Sequence, residues 1–482
     1  MALALLLSIP IIAILLSLLV SRKTLYLEYI ALAAGFFELG AASVVVWQVI
    51  RNEYFSFSQL FSVDALGALV LGITSVVGFF ALMYSVGYLR VEMEKGIVDF
   101  KKVKLYFLLV HTFLGAMITA IVSANPIGMW IAIEATTLAT TFLVSFYNKS
   151  SAIEAAWKYL VINSIGLLLG FFGMILYFTS LPQESISGFV DWNILLAHAP
   201  LLNPVIAKIA FIFVLIGFGT KVGLAPMHTW LPDAHSKAPA PISALLSGTL
   251  LNIAFLAILR FKVITDTVLD NWYTQNLLIF FGLLSIVIAV FIIFVQQKYK
   301  RLLAYSSIEH MGILALGFGF GGLGSFAALL HMIYHSCAKS LMFFVSGNIF
   351  LKFGKSKIAN IKGMIHVMPI TAVFFFIGFL TLVGVPPFGI FMTEFMILMS
   401  GISNHLVISL AVLVLLVLTF VGFLRHTVGM VFGKQDESIR PGEFNWFTLV
   451  PLAGVACILI VLSLYLFPEL QILVQRAVLY IN

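Results

Sequence analysis

Long apolar runs, separated by short polar gaps, organise this chain. A helix that crosses a bilayer needs about 20 apolar residues. By that rule fourteen spans are predicted, near 2–21, 27–49, 63–89, 104–123, 126–147, 152–180, 204–223, 240–261, 273–296, 301–321, 324–351, 367–385, 404–432 and 446–469. Two of them are interrupted. The seventh meets Gly223 and Pro226 directly after Lys221, and continues to 236. The twelfth meets Gly384, Pro386 and Pro387 shortly before Glu394, and continues to 402. Proline lacks the N–H and clashes with the preceding turn, so such clusters break a helix. Interrupted hydrophobic segments in corresponding places point to a transporter built from inverted repeats. Residues 104–262 and 263–432 each hold five spans, and an odd number inverts the second unit relative to the first. The expected fold is an all-α polytopic membrane protein with two inverted five-helix repeats, each with a broken helix. Residues 1–103 and 433–482 are expected to flank them.

Composition agrees with a membrane chain. Of 482 residues 62% are hydrophobic and 10% charged, with a mean hydropathy of +1.11; soluble domains carry about 25% charged residues. Met1 to Val20 is long enough to span and no small-residue cleavage pattern follows, so it is expected to remain as the first span. Of the 27 lysines and arginines, 18 fall in loops after odd-numbered spans. Four, namely Arg51, Arg260, Lys262 and Arg476, fall in loops after even-numbered spans or in the tail. Cationic loops face the cytoplasm, so both termini are expected outside. The net charge of +7 then reports those loops and gives no reason to expect nucleic acid. Cys337 and Cys457 stand far apart, so no disulfide framework or iron–sulfur site is expected. The chain is expected to carry no cofactor or metal of its own.

The remaining interest lies in ionisable residues inside the spans, which usually mark ion paths. Glu134 stands alone in the fifth span, as an ion-path carboxylate or a hydrogen-bonded core carboxyl. Glu154 and Lys158 are four apart and share a helix face, as a relay pair or a structural ion pair. At Lys221, burial disfavours charge while a nearby carboxylate such as Glu134 favours it. In HMIYHSCAKSLMFF, His331, His335 and Lys339 recur every fourth residue. A proton relay, a haem and a metal compete there. Haem asks for facing histidines on two helices, and His111 is the lone candidate partner, so the relay fits better. Glu309-His310 and Arg425-His426 are weaker candidates, read as interface or loop residues near a membrane edge. His228, Asp233, His235 and Lys237 follow the first break and suggest zinc only superficially, since three prolines make that segment a rigid connector.

KVGLAPMHTWLPDAHSKAPAPISALLSG, LLAYSSIEHMG, HMIYHSCAKSLMFF and GVPPFGIFMTEFMIL together resemble the antiporter-like subunits shared by respiratory complex I, Mrp-type cation/proton antiporters and membrane-bound hydrogenases. IEATTLAT and EAAWKYL are most similar to the component F branch of hydrogenase-4. The resemblance implies ion translocation through Glu134, Lys221, His331, His335, Lys339 and Glu394. Glu154, Lys158, Glu309 and His310 are secondary members. Many relatives carry a lysine where this chain has Asn252, and some a histidine where it has Ser247; a neutral Asn252 sends that link through water or the eleventh span. The resemblance further implies partner membrane subunits, a cytoplasmic-side redox arm bearing [NiFe] and iron–sulfur clusters, protons or Na⁺ as the carried ion, and a prokaryotic cell membrane. A Na⁺/H⁺ antiporter module without redox partners remains an alternative, as does a structural scaffold with a vestigial relay.

Overall fold

Five of the described helix starts are fixed by capping side chains. Asp64, Asp99, Asn125, Asp191 and Asn203 each accept a hydrogen bond from a backbone N–H two or three residues on, satisfying donors the helix leaves free. Pro126 and Pro204 occupy first helical positions, where no N–H is needed. The computed structural model describes residues 2–181, 191–435 and 437–482. Its helices run α1 Ala2–Leu19, α2 Thr24–Asn52, α3 Ala65–Glu94, α4 Phe100–Val122, α5 Pro126–Val144 and α6 Ser150–Thr179. The short α7, Trp192–Ala197, precedes α8 Pro204–Val222, α9 Trp230–Lys237, α10 Ala240–Leu245 and α11 Leu251–Asp266. Then follow α12 Trp272–Val295, α13 Tyr299–Phe320, α14 Leu323–Phe353, α15 Met364–Val367, α16 Pro369–Leu382, α17 Gly389–Phe432, α18 Trp446–Leu464 and α19 Pro468–Ile481.

Thirteen of the described helical segments are long and apolar enough to cross a membrane. The count differs by one because the twelfth predicted span is left as the short apolar α16, while its continuation merges with the thirteenth into α17. Its 44 residues would reach about 66 Å, twice a hydrocarbon core of about 30 Å. The helix leaves helical geometry at His405, with φ −137° and ψ 43°, where the sequence reading separates two spans. The 14-residue α16 leads into α17 across the second break. Two features lie outside the sequence reading. A hairpin pairs β1 Tyr54–Phe57 with β2 Phe61–Asp64. The tail folds as α19, packed on α3, α11 and α14.

Burial follows an inside-out logic. Apart from Asp266, Arg301 and Phe320 at their ends, the stretch Ala240–Asp266 and helix α13 are buried throughout, and α14 nearly so, although α13 and α14 are among the least apolar of the long helices. Helices shielded from lipid can carry polar side chains; those facing lipid cannot. Packing across α6 and α8 is tight because glycines face glycines. A Cβ on Gly217 would stand 2.3 Å from the Gly170 nitrogen, so only hydrogen fits there.

The charge tally needs correction at three cations read as loop residues. Arg260 and Lys262 are buried in α11. Arg260 pairs with Asp64 at 2.8 and 3.2 Å, and Lys262 with Asp266 at 2.6 Å. On the cation-poor side this leaves Arg51 and Arg476, and Arg476 donates to the carbonyls of Val49 and Ile50 that end α2. On the cation-rich side, Lys300 is buried and donates to Ala238 O at 3.1 Å.

Candidate functional site

The first half of the site is assembled by α5, α6 and the end of α8. Glu134 and Thr137 lie one turn apart on α5, on the face turned to α6. Ser164 on α6 donates to Glu134 Oε1 at 2.7 Å, and Oε2 has no partner. Glu134 is half-buried. Lys221, in the last turn of α8, is wholly buried. Its Nζ donates to Thr137 Oγ1 at 2.7 Å and to the Tyr159 hydroxyl at 2.8 Å. Lys221 and Glu134 share no direct hydrogen bond, yet lie within electrostatic reach of one another.

The first helix break holds this lysine in place. Gly223 caps α8 with φ +83°, a left-handed conformation that suits glycine. The chain then reaches Pro226 and a single 3₁₀ turn, Met227–Thr229. Trp230 Nε1 donates to the Thr220 carbonyl at 2.7 Å, and Ser285 of α12 accepts from Ala225 N at 2.9 Å. Both bonds satisfy backbone groups that the break frees.

The centre lies between α10–α11, α13 and α14. A π-helical turn, Leu246–Leu250, joins α10 to α11; such turns gather at functional places. Gly248 admits α14 closely: a Cβ there would sit 2.7 Å from Ser340 Oγ. Ser247 bonds Ser307 at 2.7 Å. Ser307 and Lys339 Nζ both donate to the Leu303 carbonyl, at 3.1 and 3.0 Å. Asn252 Nδ2 donates to Ser336 Oγ at 2.8 Å while its Oδ1 has no partner. The neutral Asn252 thus contacts the same helix that bears His335 and Lys339.

Glu309 and His310 belong in this centre and not at a membrane edge, which corrects the sequence reading. Both are buried in the middle of α13. Thr419 donates to Glu309 Oε1 at 2.7 Å, Oε2 is unpartnered, and the carboxylate lies within electrostatic reach of Lys339. His310 Nδ1 lies 3.0 Å from His331 Nε2, and His331 Nδ1 lies 2.8 Å from Thr393 Oγ1. Thr393 turns its own proton to the Ile390 carbonyl at 2.9 Å. With the proton there, His331 donates from Nδ1 and accepts at Nε2 from His310; with it turned to His331, both roles reverse. The His335 ring lies 5.2 Å from that of His310, tilted by 52°, with neither of its nitrogens partnered.

The far end is Glu394, next to Thr393 in α17. A Cβ on Gly384, whose φ is +63°, would lie 2.3 Å from Glu394 Oε2. The carboxylate therefore rests on bare backbone at the second break, just ahead of Pro386 and Pro387. Breaks and charges coincide at both ends of the row.

Other sequence candidates separate from it. Glu154 and Lys158 pair at 2.6 Å but are exposed, and Lys158 also lies 3.7 Å from Asp233. Asp233 binds Arg301 at 2.8 Å and so ties α6, α9 and α13 together. His235 stacks flat on Phe343 at 4.9 Å, with both nitrogens unpartnered, within reach of Lys300 and Lys339. Among the described residues no group of three or more His, Cys, Asp or Glu is placed to hold a metal. His426 is half-buried against the Ile293 carbonyl at 3.2 Å. The sequence reading passed over Thr137, Thr140 and Tyr159, which line the Glu134–Lys221 end. The signal was present: EATTLAT repeats polar residues at helical spacing from Glu134.

Comparison with known proteins returns the same segments. Residues 123–420 match the sequence profile of a family described as NADH:quinone oxidoreductase/Mrp antiporter, transmembrane. A hydrogenase-4 component F homolog of Methylacidiphilum infernorum is 37% identical over 406 residues, covering 82% of this chain and 85% of that protein. In fold, the chain is similar to one from the membrane-bound sulfane sulfur reductase, an archaeal respiratory membrane complex. There the TM-score is 0.87 at 24% identity, over 99% of this chain and 97% of the other. A chain of the Mrp complex from Dietzia sp. gives a TM-score of 0.86 at 18% identity, over 100% and 98%.

Proposed function

The chain belongs to the NADH:quinone oxidoreductase/Mrp antiporter family, and on that premise we propose that it is an ion-translocating, antiporter-like subunit of an energy-converting membrane complex. The observation that carries this reading is the buried row between the two helix breaks. Its members are Lys221, Lys339, Glu309, His310, His331 and Glu394, all buried, with the half-buried Glu134 beside Lys221. Charged side chains at such depth are costly and persist where ions pass. The carried ion is the proton, because hydroxyls, imidazoles and an amine can hand on protons at hydrogen-bond distance.

In this account a change in a partner subunit alters the charge balance at Glu134. Lys221 responds through Thr137 and Tyr159, and releases its proton towards Lys339. Glu309 and the histidines carry the charge to Glu394, and re-pairing of Glu134 with Lys221 resets the row. Moving one charge against 100 mV costs about 2.3 kcal/mol, within reach of a few altered hydrogen bonds to charged groups at about 1.5–3 kcal/mol each. Residues 104–262 and 263–432 are read as the two inverted repeats, supported by one interrupted helix in each. The termini are read as extracytoplasmic in a prokaryotic cell membrane, supported by the cation-rich loops after odd spans.

The hydrogenase-4 name of the component F homolog favours a partner arm with [NiFe] and iron–sulfur centres. The test is purification from native membranes in mild detergent, with identification of what accompanies the chain and assay of nickel and iron. Nickel with iron–sulfur subunits supports redox-driven pumping. Small hydrophobic partners without metal would favour a Na⁺/H⁺ antiporter module and remove the electron-coupled half of the account.

A further inference from the structure

Five loops on the cation-rich face converge on a cavity of about 340 Å³, room for roughly ten waters. Its walls include Glu92, Tyr147, Lys149, Lys237, Lys298 and Lys300. Glu92, near the end of α3, is wholly buried. The Tyr147 hydroxyl donates to Glu92 Oε1 at 2.7 Å and lies 3.0 Å from the Tyr88 hydroxyl, while Glu92 Oε2 has no partner. A carboxylate oxygen buried without a donor is costly, and no role described above uses it. The charged and titratable groups facing Glu92 are Tyr84, Tyr88, Tyr106, Tyr147, Lys102 and Lys300.

Four lysines against one carboxylate make the cavity a poor host for a metal cation. Such a cation also asks for several oxygen ligands, whereas a proton needs one acceptor and water. Inward from the cavity, Lys300 lies within electrostatic reach of His235, and His235 of Lys339. His235, whose ring nitrogens have no partner, is thus within electrostatic reach both of a cavity-wall lysine and of the central row.

We infer that this cavity is the proton port of the cation-rich face and that Glu92 is the carboxyl that takes the proton up. The inference rests on the translocation reading above. Lys300 gives an ammonium proton to His235, which hands it on to Lys339 and the row; Lys300 is refilled from Glu92, and Glu92 from cavity water, so each group ends as it began.

The test uses inverted vesicles holding the assembled complex, with electron-driven proton uptake and electron transfer read together. Glu92→Gln is expected to cut uptake about tenfold or more, with electron transfer persisting, and Glu92→Asp to regain part. If Glu92→Gln assembles poorly, Ser236→Cys in the cavity wall serves instead. Labelling it with a membrane-impermeant anionic thiol reagent should lower uptake against the same variant unlabelled, while the parent is unaffected. Full uptake in assembled Glu92→Gln, or in fully labelled Ser236→Cys, overturns the port, as does electron-driven accumulation of radioactive sodium by the parent. Lys221→Met separates the two levels. If it pumps, translocation through the row fails; if it is dead while Glu92→Gln pumps fully, only the port fails.

Discussion

Adding one methyl group at Gly217 should disable Lys221 without touching it. Gly217 lies four residues before Lys221 on α8, about 6 Å along the axis. A Cβ there would stand 2.3 Å from Gly170 N and 2.4 Å from Gly170 Cα, both backbone atoms that cannot swing away. That falls 1.1 Å short of the 3.4 Å where ordinary contact begins, so α6 and α8 must part by about that much in Gly217→Ala. Tyr159 rides on α6 and accepts from Lys221 at 2.8 Å. Parting by about 1 Å puts that pair beyond hydrogen-bond range. A hydrogen bond to a charged group contributes about 1.5–3 kcal/mol, and each 1.4 kcal/mol is about tenfold. The expected outcome is an assembled complex whose proton translocation per electron falls about tenfold or more. Overpacking itself costs about 1–3 kcal/mol, so thermal stability in detergent should drop modestly. The assay is fluorescence-monitored acidification of inverted vesicles, normalised to electron transfer and to the amount of complex. Parental pumping by Gly217→Ala would refute the claim that the α6–α8 glycine contact sets the Lys221–Tyr159 geometry.

Two further outcomes follow from burial and pairing. Glu309→Gln should impair pumping as severely as Glu394→Gln, by about a hundredfold, with electron transfer retained; a mild effect would return Glu309 to the periphery. Asp64→Asn leaves Arg260 buried against a neutral partner, and breaking a buried pair costs about 3–5 kcal/mol. Thermal unfolding in detergent should shift down accordingly, and Arg260→Met added to Asp64→Asn should restore part of the loss; an unshifted single variant would contradict the pairing.

Much of the helix plan was legible because lipid leaves few options: apolar runs of spanning length must be helices. The breaks at Gly223–Pro226 and Gly384–Pro387 were legible for the same reason, since proline chemistry is local. The Tyr54–Asp64 hairpin was not, because its alternation is too short to stand out between two long helices. The π-turn at Leu246–Leu250 was hidden inside an apparently continuous run, PISALLSGTLLN. In the site, the four-residue recurrence of His331, His335 and Lys339 named one helix face outright. Glu309 was misplaced because periodicity along α13 does not tell which helices end up central. That follows from α13 packing against α9, α12, α14 and α17 together. Glu92 was passed over because RVEMEK reads as the polar margin of a span, and only converging loops turn that margin into a buried wall. Arg260 was read as a loop cation because its partner, Asp64, lies far off in sequence, and Lys262 because its pairing with Asp266 matches an ordinary polar helix end.

The most direct test of the whole account is Lys221→Met in the assembled complex, with electron transfer and vesicle acidification followed in the same sample. The account predicts continuing electron transfer with no acidification, since the only amine bonded to Thr137 and Tyr159 among the described residues is gone. Acidification at the parental ratio of protons to electrons would contradict it, and would place the ion path somewhere other than the buried row.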